Sequence, residues 1–195
     1  MILNEDELTL IQDKLFFELK QSALQKIEDE LAILSQNIKN HISSNEYHFP
    51  ENTDITFGKT SKGENYKGLP YRILDIPRLF KQEGIFAYRI MFWWSKGFYF
   101  TFHLSGEHLE SYLIKLESQF PMWQKQNVFY YKNDNEWQHE VEAPFYYPME
   151  NTDFDKLKRI AQEQGYLKIA RKLDIFQIEE IRKFGLETFK LFFTS

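Results

Sequence analysis

The side chains best suited to bind an anion are concentrated in one segment of the sequence. The chain has six arginines against eighteen lysines, yet Arg72, Arg78 and Arg89 fall within 18 residues of one another. The planar guanidinium group forms paired hydrogen bonds with carboxylate or phosphate, which a lysine ammonium does not. Residues 59–103 contain eight basic and three acidic side chains, a net charge of +5, whereas the whole chain carries −5 at pH 7. The remainder therefore carries −10, and the pattern predicts a basic patch on an acidic protein.

Aromatic residues accompany these charges. Nine of the 17 residues at positions 86–102 are aromatic. Aromatic walls around a few polar groups are typical of small-molecule sites, because they exclude water from the hydrogen bonds inside. One hypothesis is therefore a site for a small anionic ligand, enzymatic or sensory, with His103 as the candidate general acid or base. The predicted ligand-binding residues are Lys62, Tyr66, Lys67, Arg72, Arg89, Trp93 and Tyr99.

The segment of residues 58–68 has the composition of an anion-binding loop. Its three glycines would allow backbone amides to approach a ligand, and its three lysines add positive charge. A nucleotide phosphate loop requires Gly-Lys-Ser/Thr at its end, but here Gly63 is followed by Glu64 and Asn65. The sequence excludes a phosphate loop of that kind, while an anion-binding loop and an ordinary surface loop both remain open.

Composition argues against several other classes of function. The chain has no cysteine, which excludes disulfides, cysteine nucleophiles and cysteine-ligated metals. The five histidines do not form an H-E-x-x-H motif, so we predict no metal site and no cofactor. The net charge of −5 argues against nucleic-acid binding. No apolar run approaches the ~18 residues of a membrane span, and residues 1–7 are acidic, unlike a signal peptide. We therefore expect a cytoplasmic protein without a membrane segment.

The elements that must position these side chains begin with a long helical region. Residues 1–45 contain no glycine or proline, and leucine, lysine, glutamate and glutamine dominate them. An apolar seam recurs there at intervals of three and four residues, at Leu24, Ile27, Leu31, Leu34 and Ile38. This spacing is typical of a helix that packs on its own domain or in a coiled coil.

Beyond residue 52 the hydrophobic period changes to two. Strands are predicted at residues 55–58, 70–76, 85–94, 98–104 and 167–175, and helices at 106–119, 151–165 and 178–189. A turn or short helix is predicted at residues 77–83, and a hairpin at residues 127–142. Because strands joined by short turns are antiparallel, we predict an α+β fold. It has a single antiparallel sheet with a long N-terminal helix and further helices packed mainly on one face. Residues 1–195 would form one domain, with residues 53–195 as its body of sheet and helices.

The register of one hairpin decides which aromatic residues share a face. Ser95, Lys96 and Gly97 predict a three-residue loop with the glycine in the left-handed region. Trp94 would then pair with Phe98. Counting outward places Phe92–Phe100, Ile90–Phe102 and Tyr88–Leu104 on an apolar face, and Trp93–Tyr99, Met91–Thr101 and Arg89–His103 on an amphipathic one. A two-residue loop would mix polar and apolar groups on both faces.

The amphipathic face has a second interpretation. It can lie beneath the N-terminal helix or a partner subunit, with Arg89 paired to a carboxylate such as Asp75. The acidic N-terminal segment can likewise neutralise the basic segment. The protein would then be a non-catalytic interaction module that forms a homodimer through its N-terminal helix or its aromatic face, for example through Leu31 or Trp93. The sequence leaves both hypotheses open.

Two short motifs stand beside the predicted central strands. Ser61-Lys62-Gly-Glu-Asn-Tyr66-Lys67 precedes one strand, and Gly97-Phe-Tyr begins another that ends in His103-Leu104. Together they resemble a family of conserved bacterial α+β proteins of unknown function, in which a Ser-Lys loop with a later Tyr-Lys and a Gly-Phe-Tyr strand ending in His-Leu occur. Residues 69–92 depart from that pattern, and the resemblance covers about a third of the chain. It implies the α+β fold and no particular activity.

Overall fold

The computed structural model describes residues 2–193, and its centre is one seven-stranded antiparallel sheet. The strands are β1 (Lys59–Tyr66), β2 (Leu69–Phe80), β3 (Ile85–Trp93), β4 (Gly97–Ser105), β5 (Phe129–Tyr131), β6 (Tyr146–Pro148) and β7 (Tyr166–Leu173), in the spatial order β1-β2-β3-β4-β7-β5-β6. The helices are α1 (Glu5–Gln12), α2 (Lys14–Ser43), α3 (His108–Leu116), α4 (Phe120–Lys125), α5 (Phe154–Gln164) and α6 (Ile181–Phe192). The predicted α+β class, with a single antiparallel sheet and a long N-terminal helix, is confirmed.

The N-terminal helical region is divided at Asp13. The side chain of Asn4 accepts the backbone N–H of Glu7, and the Glu7 carboxylate accepts the N–H of Asn4, so a capping box begins α1. The side chain of Asp13 accepts the N–H of Phe16 and begins α2. The apolar seam of α2 is buried against the protein itself, as one of the two predicted alternatives required. Within residues 2–193, no helix combines the length and the hydropathy needed to cross a membrane.

One face of the sheet, the first face, is covered by helices α2 to α6 and forms the larger core. Its strand residues are Leu74, Ile76, Leu79, Phe86, Tyr88, Ile90, Phe92, Phe98, Phe100, Phe102, Leu104, Tyr130, Leu167, Ile169 and Leu173. Close approach of α6 to α2 and to β4 requires Gly185, because a Cβ atom there would lie 2.5 Å from Leu34 Cδ2. The Tyr88 hydroxyl donates to the carbonyl of Gly185, so the one polar atom of that buried ring is satisfied.

The predicted register of the β3–β4 hairpin is wrong by two residues. The loop does have three residues, but they are residues 94–96, and Gly97 is the first residue of β4 with a φ of +95°. Phe92 therefore pairs with Phe98 rather than with Phe100. Because side chains alternate with a period of two, an error of two residues leaves every side chain on its predicted face. The second face of the sheet thus carries Arg89, Met91, Trp93, Tyr99, Thr101 and His103.

Two further predictions before β2 are wrong. The segment of residues 55–58 is not a strand, since the Asp54 carboxylate accepts the N–H groups of Thr56, Phe57 and Gly58 and folds this segment into a turn. The lysine-rich segment predicted as a loop is mostly β1, which pairs with β2 along one edge of the sheet. The exposed residues of β1 are polar or glycine, so the sequence shows no apolar alternation there. The strand is recognised only by its pairing with β2.

The predicted turn at residues 77–83 is also wrong. Pro77 cannot donate to the ladder, and the register of β2 against β3 shifts between Asp75 and Arg78. Beyond this bulge β2 continues to Phe80, which pairs with Ile85.

The predicted hairpin at residues 127–142 is wrong as well, because β5 pairs with β6 and the hairpin residues instead lie in a long connection. Residues 132–145, hereafter the covering loop, join the two strands without regular structure of their own. The helix predicted at residues 151–165 is α5, which Asp153 caps and Gly165, with a φ of +79°, ends. The predicted final strand and helix correspond to β7 and α6.

Candidate functional site

The second face is covered by the chain itself. The covering loop begins at β5, near one edge of the sheet, and crosses to β1 at the opposite edge, where the N–H of His139 donates to the Tyr66 hydroxyl over 3.1 Å. Val141 and Phe145 of the loop contribute to a second apolar core on this face. Within one chain, the sequence suggested that this face either lies beneath the N-terminal helix or forms an open cleft. The covering loop lies over it instead.

Beneath the loop, Arg89 is engaged by Asp75. Its Nε and Nη2 atoms donate to the two carboxylate oxygens over 2.7 and 2.9 Å, and Asp75 is only 3% exposed. The two residues are direct partners across β2 and β3. This is the pairing that the second interpretation anticipated for Arg89, and it is confirmed. The fork of Arg89 is thus occupied by an internal carboxylate.

His103 lies on the same face and contacts a carboxylate from the covering loop. Its Nε2 atom is 3.2 Å from an oxygen of Glu136, and its side chain is almost fully buried. Burial lowers the pKa of His103, although the hydrogen bond with Glu136 acts to raise it. That hydrogen bond lowers the pKa of Glu136, so the carboxylate is ionised at neutral pH and the imidazole N–H must donate to it. The arrangement holds the carboxylate in place and supplies a neutral imidazole.

Lys168 is a buried cation that no sequence pattern singled out. It pairs across the sheet with His103 and is 1% exposed. Its ammonium group donates to the carbonyls of Glu136 and Gln138 over 2.7 and 2.6 Å. Burial, together with the nearby charge of Arg89, lowers the pKa of Lys168 to about 7. Strand alternation in β7 would have placed this lysine on the second face, but its carbonyl partners are thirty or more residues away and carry no sequence signature.

Tyrosines fill the rest of the second face. The hydroxyls of Tyr131 and Tyr166 donate to backbone carbonyls of the covering loop, at Asn135 and Asn133. Among the described residues, the buried hydroxyls of Tyr99 and Tyr146 have no hydrogen-bond partner. Burial raises the pKa of Tyr99 and of Tyr146, so both phenols stay protonated at neutral pH.

The structure divides the predicted ligand-binding residues between the two faces. Lys62 and Arg72 lie on the first face, where Glu28 of α2 accepts a hydrogen bond from Arg72 over 2.5 Å and lies 3.7 Å from Lys62. Arg72 is additionally 3.4 Å from Glu64. Glu28 of the N-terminal segment thus neutralises this part of the basic segment, as one of the predicted alternatives required.

The remaining predicted residues are on or beside the second face. Tyr66, Lys67 and Tyr99 surround Trp93, whose ring lies 5.0 Å from that of Tyr66 and 6.4 Å from that of Tyr99. Lys67 reaches over the Trp93 ring and forms an ion pair with Glu140 of the covering loop. Trp93 and Tyr99 are each 1% exposed. Whether any of these residues contacts a ligand stays a prediction.

The N-terminal arm, residues 2–19, is a surface that the fold leaves uncovered. None of these residues is buried, and α1 contains no buried position. Fifteen large apolar residues are exposed within residues 2–193, and eight of them lie in the arm: Ile2, Leu8, Leu10, Ile11, Leu15, Phe16, Phe17 and Leu19. Contact of α2 with the rest of the protein begins just after the arm, where Lys20 binds Glu64 of β1 and Leu24 enters the core.

Comparison of the chain with protein-family models, curated proteins and solved structures finds no match. Within residues 2–193 no group of three or more histidine, aspartate and glutamate side chains is arranged to hold a metal ion. The exposed surfaces of the structure are therefore the remaining guide to function. Leu31 and Trp93, the positions that the sequence suggested for an interface, are both buried inside the protein. The arm is different, because eight of its large apolar side chains are exposed to solvent.

Proposed function

We propose that this protein is a non-catalytic interaction module that forms a homodimer through its N-terminal arm. The observation that carries the proposal is the exposure of eight large apolar side chains within 18 consecutive residues. A contiguous apolar surface of this kind is rare on a protein that functions as a monomer. In the rest of the described chain, seven exposed large apolar residues are spread over 174 positions.

The arm exposes apolar residues on two opposite sides of the first turns of α2. At 100° per residue, Phe17 lies on the same face of α2 as Leu24, seven residues later. Leu15 and Leu19, nine and five residues before Leu24, lie on nearly the opposite face. Both sides are exposed here, at 50% for Phe17 and about 60% for Leu15 and Leu19. Exposed apolar residues on opposite sides of a helix are stabilised when other protein covers them.

The charges of the arm favour a second copy arranged antiparallel to the first. The first turn of α1 carries Glu5, Asp6 and Glu7, whereas Lys14, whose side chain is 88% exposed, begins α2 and lies 3.3 Å from Glu18 of its own helix. A two-fold axis near Leu10 places the acidic turn of each arm beside Lys14 of the other. A parallel arrangement would instead place the three acids of one arm against the same three acids of its partner. Both arrangements have two-fold symmetry, the commonest symmetry of homo-oligomers, so it is the charges that favour the antiparallel one.

The size of the surface is adequate for such a dimer. If each of the eight side chains contributes on the order of 100 Å², the arm provides about 800 Å² per copy, which is the size of a standard interface. Association at micromolar concentration is in the range that interfaces of this size support.

Sedimentation velocity over a concentration series tests the proposal directly. We expect a dimer for the unaltered chain and a monomer for the double variant Leu15→Asp and Leu19→Asp, because two charges would enter an apolar interface. Neither residue contacts the core, so the melting temperature of the variant at low concentration should match that of the unaltered monomer. Ile114→Asp is the matched control, since Ile114 is 70% exposed on α3 and lies outside the arm.

Two results would contradict the proposal. One is a monomer at every concentration tested, and the other is a dimer that survives the double variant or dissociates equally with Ile114→Asp.

The antiparallel arrangement has a test of its own. Lys14→Glu should weaken the dimer, because it would place a fourth carboxylate beside the acidic turn of the partner arm. Adding Asp6→Lys in the same chain should restore much of the affinity, since opposite charges would again face each other. A dimer that is unaffected by Lys14→Glu, or that the second change does not rescue, would contradict this arrangement.

A further inference from the structure

A second exposed surface is a polar cleft at one end of the sheet. Four segments meet there: the β2–β3 turn, the β4–α3 turn, the start of the covering loop and the α5–β7 turn. The cleft has a volume of about 600 Å³. That is within the usual range of small-molecule sites, about 300–1,000 Å³.

Close backbone contacts fix the shape of this cleft. A Cβ atom at Gly84 would lie 2.5 Å from the carbonyl oxygen of Ser105, and one at Gly106 would lie 1.9 Å from that of Glu83. Gly106 also has a φ of +63°, which residues with a side chain rarely adopt. The N–H of Glu107 donates to the Glu83 carbonyl over 3.0 Å and ties the two turns together. Direct backbone contacts therefore hold these two turns together at one wall of the cleft.

The charge of the cleft is opposite to that of the basic segment. Its ionisable lining residues are Glu83, Asp134, Glu136 and Lys81, plus the phenol of Tyr166. Three carboxylates against one ammonium give a net charge of −2. An anionic ligand would meet repulsion here, whereas a cation would be attracted.

The Glu136 carboxylate is oriented by His103 before any cation binds. The buried imidazole of His103 contacts one of its oxygens from behind, and the side chain of Glu136 remains 30% exposed toward the cleft. A hydrogen bond from a neutral imidazole orients the carboxylate without cancelling its charge. The position of the anion is thus fixed before a ligand arrives, which lowers the entropy lost on binding.

Trp137, the next residue, supplies an aromatic surface. It lines the cleft and is 46% exposed, and its ring stands edge-on to that of His103 at 5.8 Å. An indole beside a carboxylate is the combination that binds organic cations, because the ring face attracts positive charge and the carboxylate accepts N–H groups. Trp93 and Trp123 are buried, so they offer no such surface.

We propose that this cleft binds a small organic cation that carries an amine or guanidinium group, with the Glu136 carboxylate as its counter-ion and the Trp137 indole as its stacking surface. The site is separate from the N-terminal arm and does not depend on dimer formation. Lys81, the one basic residue of the lining, adds a preference for ligands that carry an acceptor beside the cation.

The test uses the full chain labelled with ¹⁵N at tryptophan and titrated with agmatine, which has both an amine and a guanidinium group. The chain has four tryptophans, and the indole signal of Trp137 is identified by its loss in Trp137→Phe. We expect a saturable shift of that signal and none of the Trp123 signal. Sodium phosphate at the same ionic strength should produce no saturable shift.

Glu136→Gln should weaken agmatine binding about tenfold, since an amide keeps a hydrogen bond to His103 but lacks the charge. Glu117→Gln, the same change at an exposed glutamate outside the cleft, is the control and should have no effect. An unchanged Trp93 signal in Glu136→Gln would show that the covering loop is intact. The proposal is overturned if agmatine produces no saturable shift, if phosphate produces the same shift, or if the Glu136→Gln variant binds as well as the unaltered protein.

Discussion

The two faces of the sheet use alternate residues of the same strands, yet they are built on different principles. The first face is mostly apolar and lies under helices, with Arg72 and Arg171 bonded to the side chains of Glu28 in α2 and Thr188 in α6. The second mixes apolar side chains with Asp75, Arg89, His103 and Lys168, and lies under an irregular loop. Among the described residues, no helical residue belongs to the second core.

The nature of the covering element explains the difference. A helix satisfies its own backbone hydrogen bonds in its interior, so it can cover an apolar face that offers no polar partner. A loop presents N–H and C=O groups that need partners when they are buried. The second face supplies them: Lys168 donates to two loop carbonyls, Tyr131 donates to a third, and Tyr66 accepts a loop N–H. Lys168 and the tyrosine hydroxyls of the second face are therefore accounted for by the loop backbone, and they are not in themselves a sign of a ligand site.

The largest effect should come from truncation in the first face. Phe102 is fully buried and packs against Phe86 and Phe193, so Phe102→Ala should lower the free energy of unfolding by about 3–5 kcal/mol through the cavity it leaves. Urea denaturation measures the loss. Phe176→Ala is the control, because Phe176 is 95% exposed and its truncation should change stability by less than about 0.5 kcal/mol. Equal losses in the two variants would contradict the assignment of this face as the main core.

Alternation along the strands is what made the two faces predictable. It assigned Tyr88 and Phe100 to the apolar face and Arg89 and Trp93 to the other, and both assignments are right. The same alternation could not locate the hairpin loop to better than two residues, because registers that differ by two are equivalent in their pattern. The predicted fold class was right despite that error, because it depends on which face of the sheet each side chain occupies and on how the strands are connected. It does not depend on individual residue pairs.

The covering loop and the arm could not be predicted from the sequence, for different reasons. The partners of Lys168 are backbone carbonyls, which every residue carries, so nothing in the sequence marks Glu136 and Gln138 as the recipients. The apolar residues of the arm were visible in the sequence, but exposure depends on where the sheet ends. Only the structure shows that the core begins at Leu24 and leaves the preceding turns of α2 uncovered.

The dependence of stability on pH is a smaller effect that should distinguish the second face from the first. The pKa of Lys168 is lowered to about 7 in the folded state by burial, whereas an unfolded lysine has its ordinary pKa near 10.5. Between these values the unfolded chain binds more protons, so the free energy of unfolding should rise with pH, by up to about 2 kcal/mol from pH 7 to pH 9. Lys168→Met should remove most of this rise, which urea titrations at several pH values measure. Burial lowers the pKa of His103 and His139 and raises that of Tyr99 and Tyr146, so these neighbours on the second face titrate outside this window.

If the free energy of unfolding of Lys168→Met rose with pH by the same amount, another group would be responsible for the rise. The first face offers the control, because Leu34→Ala removes apolar contacts alone. That variant should be less stable than the unaltered protein by a similar amount at every pH, so its pH profile should run parallel to that of the unaltered protein.

The smallest effect concerns the ion pairs at the rim of the covering loop. Glu140 lies within 4 Å of both Lys67 and Lys96, but these partners are partly exposed to solvent. Glu140→Gln should therefore change stability by less than about 1 kcal/mol. Tyr66→Phe removes the hydroxyl that accepts the N–H of His139, and leaving that donor unpaired should cost about 1–3 kcal/mol. A larger loss of stability in Glu140→Gln than in Tyr66→Phe would contradict this account. The loop would then be held by charges at its rim, and its buried backbone groups would not explain why the second face is polar.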